Sequence, residues 1–277
     1  MPQSVFIGML CAMSQEQHKM RISMIGAGRV AYHLARVFSE QHEIVQIYSR
    51  TLEKSQQLAE QFNAQAIARP EQLSHEVDLV IIAVSDQSIA SVIERIHPHL
   101  QQNLIVHTSG STHLDLLKNV HVRAGVFYPL QTFSLERQID WQQTPLFIEA
   151  ENEQDQILLL ELANSLSNRV YTYNSSQRLS LHLAAVFACN FANYCYDMGK
   201  QVVDAQQVDF SLLYPLMLET ASKATQNDPK QMQTGPAMRG DQNILNMHQQ
   251  MLANMQREDL QNVYQLLSQQ ILERHRK

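Results

Sequence analysis

Cysteine is scarce in this chain: 277 residues hold three, Cys11, Cys189 and Cys195. Their spacing is neither that of a disulfide framework nor that of a metal site. Cys189 and Cys195 fall in an apolar helical run, where they read as small buried hydrophobes suited to a reducing cytoplasm. Basic charge is short as well. The 21 lysines and arginines stand against 27 acids, a net charge of −6, with no basic block or stripe. A nucleic-acid binder needs such a stripe to displace counterions, so that class is excluded. The N-terminal apolar run, residues 4–13, has no basic stretch before it. It is short for a secretory signal and much too short for a membrane span. Residues 1–19 are expected to be a poorly ordered extension or the product of a start placed too early, with Met13 or Met20 as the true start. Internal repeats and low-complexity linkers are absent too. What remains is an ordinary globular composition, 44% hydrophobic and 17% charged, long enough for two domains.

The most informative residues run from Arg21 to Ala31. A short apolar strand leads into Gly26-Ala27-Gly28-Arg29-Val30-Ala31, and a helical pattern of Val30, Leu34, Val37 and Phe38 follows at once. In a dinucleotide site the first glycine makes the tight turn and the second lets a pyrophosphate approach the backbone. The small third residue allows close helix–strand packing, while the helix N-terminus offers free N–H groups. A Gly-x-Gly-x-x-Ala alone is weak, but the flanking strand and helix supply the context it needs.

From residue 20 to 174 short apolar strands alternate with helical segments, which predicts a doubly wound parallel-sheet Rossmann domain. Strands are expected at Ile44 to Tyr48, Ala66 to Ala68, Asp78 to Val84, Leu104 to His107, residues 122–127, Leu146 to Ile148 and Val170-Tyr171. From 175 to 277 the strand signals vanish and an all-α domain is expected, with helices over 179–199, 211–225, 242–256 and 259–274 and one sharp break at Thr234-Gly235-Pro236. The segment 179–199 is apolar nearly all round, as in a membrane span or the central helix of a domain. His182, Asn190, Asn193 and Asp197 interrupt it, and polar groups are costly in lipid, so a buried central helix is expected.

The second strand ends Tyr48-Ser49-Arg50-Thr51, with no acid where an NAD site places one for the ribose hydroxyls. Arg50, with the hydroxyls of Ser49 and Thr51, suits a 2′-phosphate, so NADP (as NADPH) is the expected cofactor. The alternative is a solvated turn with Arg50 capping the strand. Ligands in open α/β sheets bind beyond the carboxyl ends of the strands. Val84, Ser85 and Asp86, and then His107, would border the nicotinamide half, although Asp86 also suits the N-cap of a helix over 87–96 and His107 a satisfied core group. Ser109-Gly110-Ser111 is a candidate backbone-donor turn or a plain turn, and Pro129 follows the sixth strand. On an unbroken α-helix Asn193 lies roughly 20° round the axis from His182, and Asn190 roughly 80°. These three form either a polar seam or a proton donor with an amide clamp. Asp241 is placed to cap the helix from Gln242, and Arg239 either binds a substrate carboxylate or pairs with Asp241 or Glu219.

The series Gly26-Ala-Gly-Arg-Val30, Ser49-Arg-Thr51, His107-Thr-Ser-Gly-Ser111, Tyr128-Pro-Leu-Gln-Thr-Phe133, His182-Leu-Ala-Ala-Val-Phe-Ala-Cys-Asn190 and Thr234-Gly-Pro-Ala-Met-Arg-Gly-Asp241 resembles one bacterial family. In that family a Rossmann-like oxidoreductase domain is joined to a helical domain of unknown function (domain of unknown function 2520). The resemblance covers nearly everything from Met20 onward and extends distantly to pyrroline-5-carboxylate reductase, ketopantoate reductase and the β-hydroxyacid dehydrogenases of the 6-phosphogluconate dehydrogenase-like superfamily. It implies an NAD(P) domain followed by a helical domain that dimerises and covers the nicotinamide. In the β-hydroxyacid dehydrogenases a Lys, with an Asn four residues on, acts from the first long helix. This chain departs from that pattern, with no lysine there before Lys200, and His182 is the candidate in its place.

The expected function is therefore cytoplasmic, NADPH-dependent reduction of a small carbonyl or imine compound by a homodimer, with no nucleic-acid or membrane partner and no metal. His182 would supply the proton, Asn190 would orient the reacting atom, and Ser109, Pro129, Asn193 and Arg239 would bind substrate. The rivals are a non-catalytic NADP-binding sensor or assembly protein and, less favoured, a dehydrogenase working mainly with NADP+.

Overall fold

The computed structural model describes residues 19–276; the expectations for Cys11 and, Lys19 aside, for the N-terminal extension lie outside the described residues. Eight strands form one sheet: β1 (Arg21–Ile25), β2 (Glu43–Tyr48), β3 (Gln65–Ile67), β4 (Leu79–Ile82), β5 (Leu104–His107), β6 (Ala124–Pro129), β7 (Leu146–Ala150) and β8 (Val170–Thr172). Their order is β3-β2-β1-β4-β5-β6-β7-β8. Every pair is parallel except β6–β7, which is antiparallel, so the expected doubly wound parallel sheet carries one reversed junction near its edge. The connection from Pro129 to Leu146 holds only a 3-10 turn at Trp141–Gln143, and a parallel return needs a crossover element.

Around the sheet lie α1 (Arg29–Phe38), α2 (Leu52–Ala59), α3 (Asp86–Ile96), α4 (Asp115–Lys118), α5 (Glu153–Leu166) and α6 (Ser175–Ala185). The apolar positions of α1, Ala31, Leu34, Ala35, Val37 and Phe38, recur at helical spacing and are all buried. With α2 and α5 they cover one face of the sheet, while Ile89, Val92, Ile93 and Ile96 of α3 and Leu114 and Leu117 at α4 cover the other. Strands β4 and β5 lie under both layers, so every residue in them is buried and their sequences read as unbroken apolar runs. In register, Ile25 faces Tyr48 on one side and Ile82 on the other, and Ile82 faces His107. The carboxyl ends of β2, β1, β4 and β5 therefore stand level, with the chain reversing direction of travel between β1 and β4.

The chain divides into two compact units between Ala185 and Val186, inside the long helical run. Arg178 explains why α6 stays with the sheet. It is 1% exposed; it pairs with Glu149 on β7 and donates to the carbonyl oxygens of Ser109 (3.2 Å) and Thr112 (2.5 Å).

The second unit is helical throughout its described residues: a π-helical turn (Val186–Phe191), then α7 (Ala192–Asp204), α8 (Tyr214–Gln226), α9 (Pro236–Arg239), α10 (Gln242–Asn254) and α11 (Glu258–His275). Several expectations fail here. The run 179–199 is not a buried central helix, since Leu179, Leu183, Phe187, Phe191 and Tyr194 are all about half exposed or more. Cys189 and Cys195 are exposed rather than buried. All-round apolarity signals that something covers a helix; it does not say that the same chain does. The π turn also alters the angular step per residue, so the placement of Asn190 and Asn193 relative to His182 on an unbroken α-helix does not hold. Gln207 and Gln256, both at φ 55°, make sharp reversals besides the one at Thr234-Gly235-Pro236. Asp241 does cap α10, accepting from Ile244 N at 3.3 Å. No helix among the described residues is long and apolar enough to cross a membrane.

Candidate active site

A groove of about 580 Å³ opens at the level carboxyl ends of β1, β2 and β4. Its walls are Gly26, Ala27, Gly28, Arg29 and Val30, then Ser49, Arg50 and Lys54, then Val84, Ser85 and Ser88. Gly26 is at φ 123°, and a Cβ there would stand 2.2 Å from the Ala83 carbonyl oxygen, so both conformation and space demand glycine. At Gly28 a Cβ would meet nothing within 4 Å. The protein does not use that space for its own packing; it is open to a ligand. Gly28 is also the N-cap of α1, which has no side-chain cap, leaving first-turn N–H groups available to an anion.

Two cations stand at the β2 end of the groove. Arg50 is the expected one, and Lys54, in the first turn of α2, is one that the sequence reading missed. Neither side chain has a hydrogen bond or ion pair with the described residues. Thr51 is exposed at the N-cap of α2, one residue beyond the groove wall. Arg29 reaches the Phe133 carbonyl oxygen (3.3 Å) and His33 that of Ser134 (2.9 Å), which ties the segment after β6 down onto α1.

Of the groups expected to border the cofactor, Val84 and Ser85 line the groove, whereas Asp86 and His107 do not. Asp86 is the first residue of α3 rather than its N-cap; Ser85 takes that position, and the Asp86 carboxylate accepts from Ser111 Oγ at 2.5 Å, joining the loops after β4 and β5. His107 is fully buried. Its Nδ1 accepts from Ser109 N (3.2 Å), and burial, helped by the charge of Arg178 and by His113, lowers its pKa to about 3. A ring held neutral and sealed from the groove is a core group. The donor turn is likewise spent internally. Ser109, itself buried, accepts on Oγ from the amides of Ser111 (3.1 Å) and Thr112 (2.9 Å). Pro129 ends β6, buried.

His182 lies one turn beyond Arg178 on the same face of α6. Its Nδ1 is 3.2 Å from the hydroxyl of Tyr128 on β6, beside Gly110. The Tyr128–His182 pair was not foreseen: the tyrosine stands inside a quoted motif, but nothing in the sequence names its partner.

In the second unit Asn190, Asn193 and Arg239 are exposed. Arg239 pairs with neither of its expected partners: Glu219 binds Lys223 (3.0 Å) and Asp241 caps α10. No cluster of metal-ligating residues occurs among the described residues.

Residues 21–110 match the family model described as NADP oxidoreductase, coenzyme F420-dependent. Residues 144–271 match a domain of unknown function, DUF2520. The crystal structure of a "putative NADP oxidoreductase" from Bacteroides fragilis is 38% identical, with TM-score 0.86 over 92% of this chain and 98% of that one. The chain belongs to this family of NADP oxidoreductases. An imine reductase from Myxococcus stipitatus in complex with NADP+ shares the fold at 14% identity (TM-score 0.68, 91% and 93% covered). So does a Plasmodium falciparum pyrroline carboxylate reductase with NADP bound, also at 14% identity (0.53, 93% and 98%). No curated protein matches the chain. The family carries both halves of the architecture read from the sequence, the Rossmann sheet and the helical segment after it.

Proposed function

We propose that this chain is a cytoplasmic NADPH-dependent reductase of a small carbonyl or imine compound. The observation that carries the reading is the pair of cations, Arg50 and Lys54, whose side chains have no partner among the described residues, on the groove wall where an NAD site has a carboxylate. The open space at Gly28 and the uncapped N-terminus of α1 fit a pyrophosphate held by residues Gly26 to Val30. Ser49, Arg50, Thr51 and Lys54 meet a 2′-phosphate. Bound there, the cofactor supplies a hydride to the substrate carbon. His182 supplies the proton to the substrate oxygen or nitrogen, at the end of the sheet where open α/β folds take their ligands. Asn190, Asn193 and Arg239 have the chemistry to bind the substrate: two amides and an exposed guanidinium suited to a carboxylate.

Two titrations test the cofactor assignment. A charge-assisted hydrogen bond is worth about 1.5–3 kcal/mol, so Arg50→Ala and Lys54→Ala should each weaken NADPH binding roughly 10- to 100-fold. NADH binding should hardly change. Equal losses for both nucleotides, or none, would overturn it. Screening keto acids and cyclic imines with NADPH then tests the chemistry, and binding without turnover would make the protein a sensor instead.

The reading includes a homodimer formed through the helical segment. The described part of the second unit buries only four apolar side chains, Ala237, Leu245, Leu252 and Leu260, while Leu212, Leu216 and Leu218 are more than 60% exposed. Monomeric proteins rarely leave so much apolar surface in water. Light scattering is expected to give twice the monomer mass, and Leu218→Lys with Phe187→Lys to reduce it. A wild-type monomer at micromolar concentration would refute the dimer.

A further inference from the structure

Given the reductase reading, in which His182 donates the proton, we propose that Tyr128 is a positioning residue that holds His182 by Nδ1 and keeps Nε2–H as the donor offered to the substrate. Three elements build the contact. Tyr128 is on β6 and His182 on α6, with the rings edge-on at 6.2 Å between centroids and the hydroxyl 3.2 Å from Nδ1. Gly110, in the loop after β5, leaves room for both. A Cβ there would stand 2.6 Å from Nδ1, 2.6 Å from Tyr128 Cζ and 2.8 Å from its hydroxyl. Phe147 flanks the Tyr128 ring at 6.1 Å.

The Tyr128 hydroxyl is the fixed partner in the hydrogen bond because it stays protonated. Burial, and then the negative charge of Asp86, push the Tyr128 hydroxyl up to about 12, with Arg178 opposing. That hydroxyl keeps its hydrogen at neutral pH and is a poor proton source, so it is not the acid of the pair. Facing a neutral imidazole it donates to Nδ1, and the ring's own hydrogen sits on Nε2. Facing the imidazolium it rotates and accepts from Nδ1–H, because a phenol both donates and accepts. Nε2 therefore carries hydrogen in the resting neutral ring and in the imidazolium, and lacks it only just after the transfer. Proton transfer starts from the charged ring: the Nε2–H bond breaks, an O–H or N–H bond forms on the substrate, and the ring is left neutral with Nδ1–H on the Tyr128 oxygen.

The test needs no substrate. In the full-length protein labelled with 15N-histidine, long-range 15N–1H spectra distinguish the two neutral tautomers, and His182→Gln assigns the signal. Wild type should show the neutral His182 ring as the Nε2–H tautomer. Tyr128→Phe, which removes one oxygen, should move the ratio about tenfold toward Nδ1–H, the change that about 1.4 kcal/mol produces. Gly110→Ala, which forces the pair apart, should move it the same way. A wild-type ring with its hydrogen on Nδ1, or an unchanged ratio in Tyr128→Phe, overturns the proposal. A purely packing role for Tyr128 would leave the ratio alone. NADPH titration of the same samples reports separately on the reductase reading, so either can fail without the other.

Discussion

Alanine at position 182 is expected to slow NADPH oxidation roughly 10²- to 10⁴-fold, the usual contribution of a positioned general acid, while NADPH affinity changes by no more than about twofold. The two effects separate because His182 does not line the groove that Gly26 to Val30, Arg50 and Lys54 enclose. It sits on α6, held through Nδ1 by Tyr128. A histidine suits the work, since small shifts in its surroundings put its charge change near neutral pH. The measurement is the decay of NADPH absorbance with the compound found by the carbonyl and imine screen, alongside nucleotide binding by fluorescence. Retained turnover would remove His182 from the chemistry. Parallel loss of turnover and NADPH affinity would make it a structural residue.

The nucleotide groove was legible because its signals are local. The turn at Gly26, the opening at Gly28 and the strand–helix frame occupy eleven consecutive residues, and the open sheet puts the ends of β2 and β4 beside them by register. Lys54 was also within reach: it stands four residues after Arg50, in the first turn of α2, and lines the same groove. The far end of the site was less legible because its partners are distant in sequence. His107, Ser109 and Asp86 are chemically apt residues at strand ends, but their hydrogen bonds close on one another and on Ser111, and spacing does not reveal that. Arg178 and Glu149 lie on different elements and were silent in the sequence. The helical run after Ala185 defeated periodicity twice: a π turn shifted its phase, and its apolar sides proved exposed within one chain.

The Glu149–Arg178 pair is where stability and site geometry meet, and Glu149→Ala is expected to cost about 3–5 kcal/mol, as for a buried pair that loses one partner. Arg178 would remain buried with its charge opposed only by dipoles, the carbonyl oxygens of Ser109 and Thr112 and the hydroxyl of Ser175. Ser175 would loosen with it, since its amide and hydroxyl both donate to Glu149 (3.0 and 2.8 Å) while its oxygen accepts from Leu114 N (3.0 Å). At roughly 2–4 °C per kcal/mol for a unit of this size, the midpoint should fall by about 6–20 °C in a thermal melt. Replacing both charges, Glu149→Leu with Arg178→Met, should recover much of that loss, because the cost lies in the stranded cation more than in the missing attraction. The recovered variant would still lack the link from α6 to the loop at residues 109–112, and hence the seat of His182 beside Gly110. Its turnover should therefore stay low after its melting temperature has returned. A Glu149→Ala protein that melts within a degree of wild type would mean that Arg178 finds another counter-charge, and the buried network would no longer account for where His182 stands.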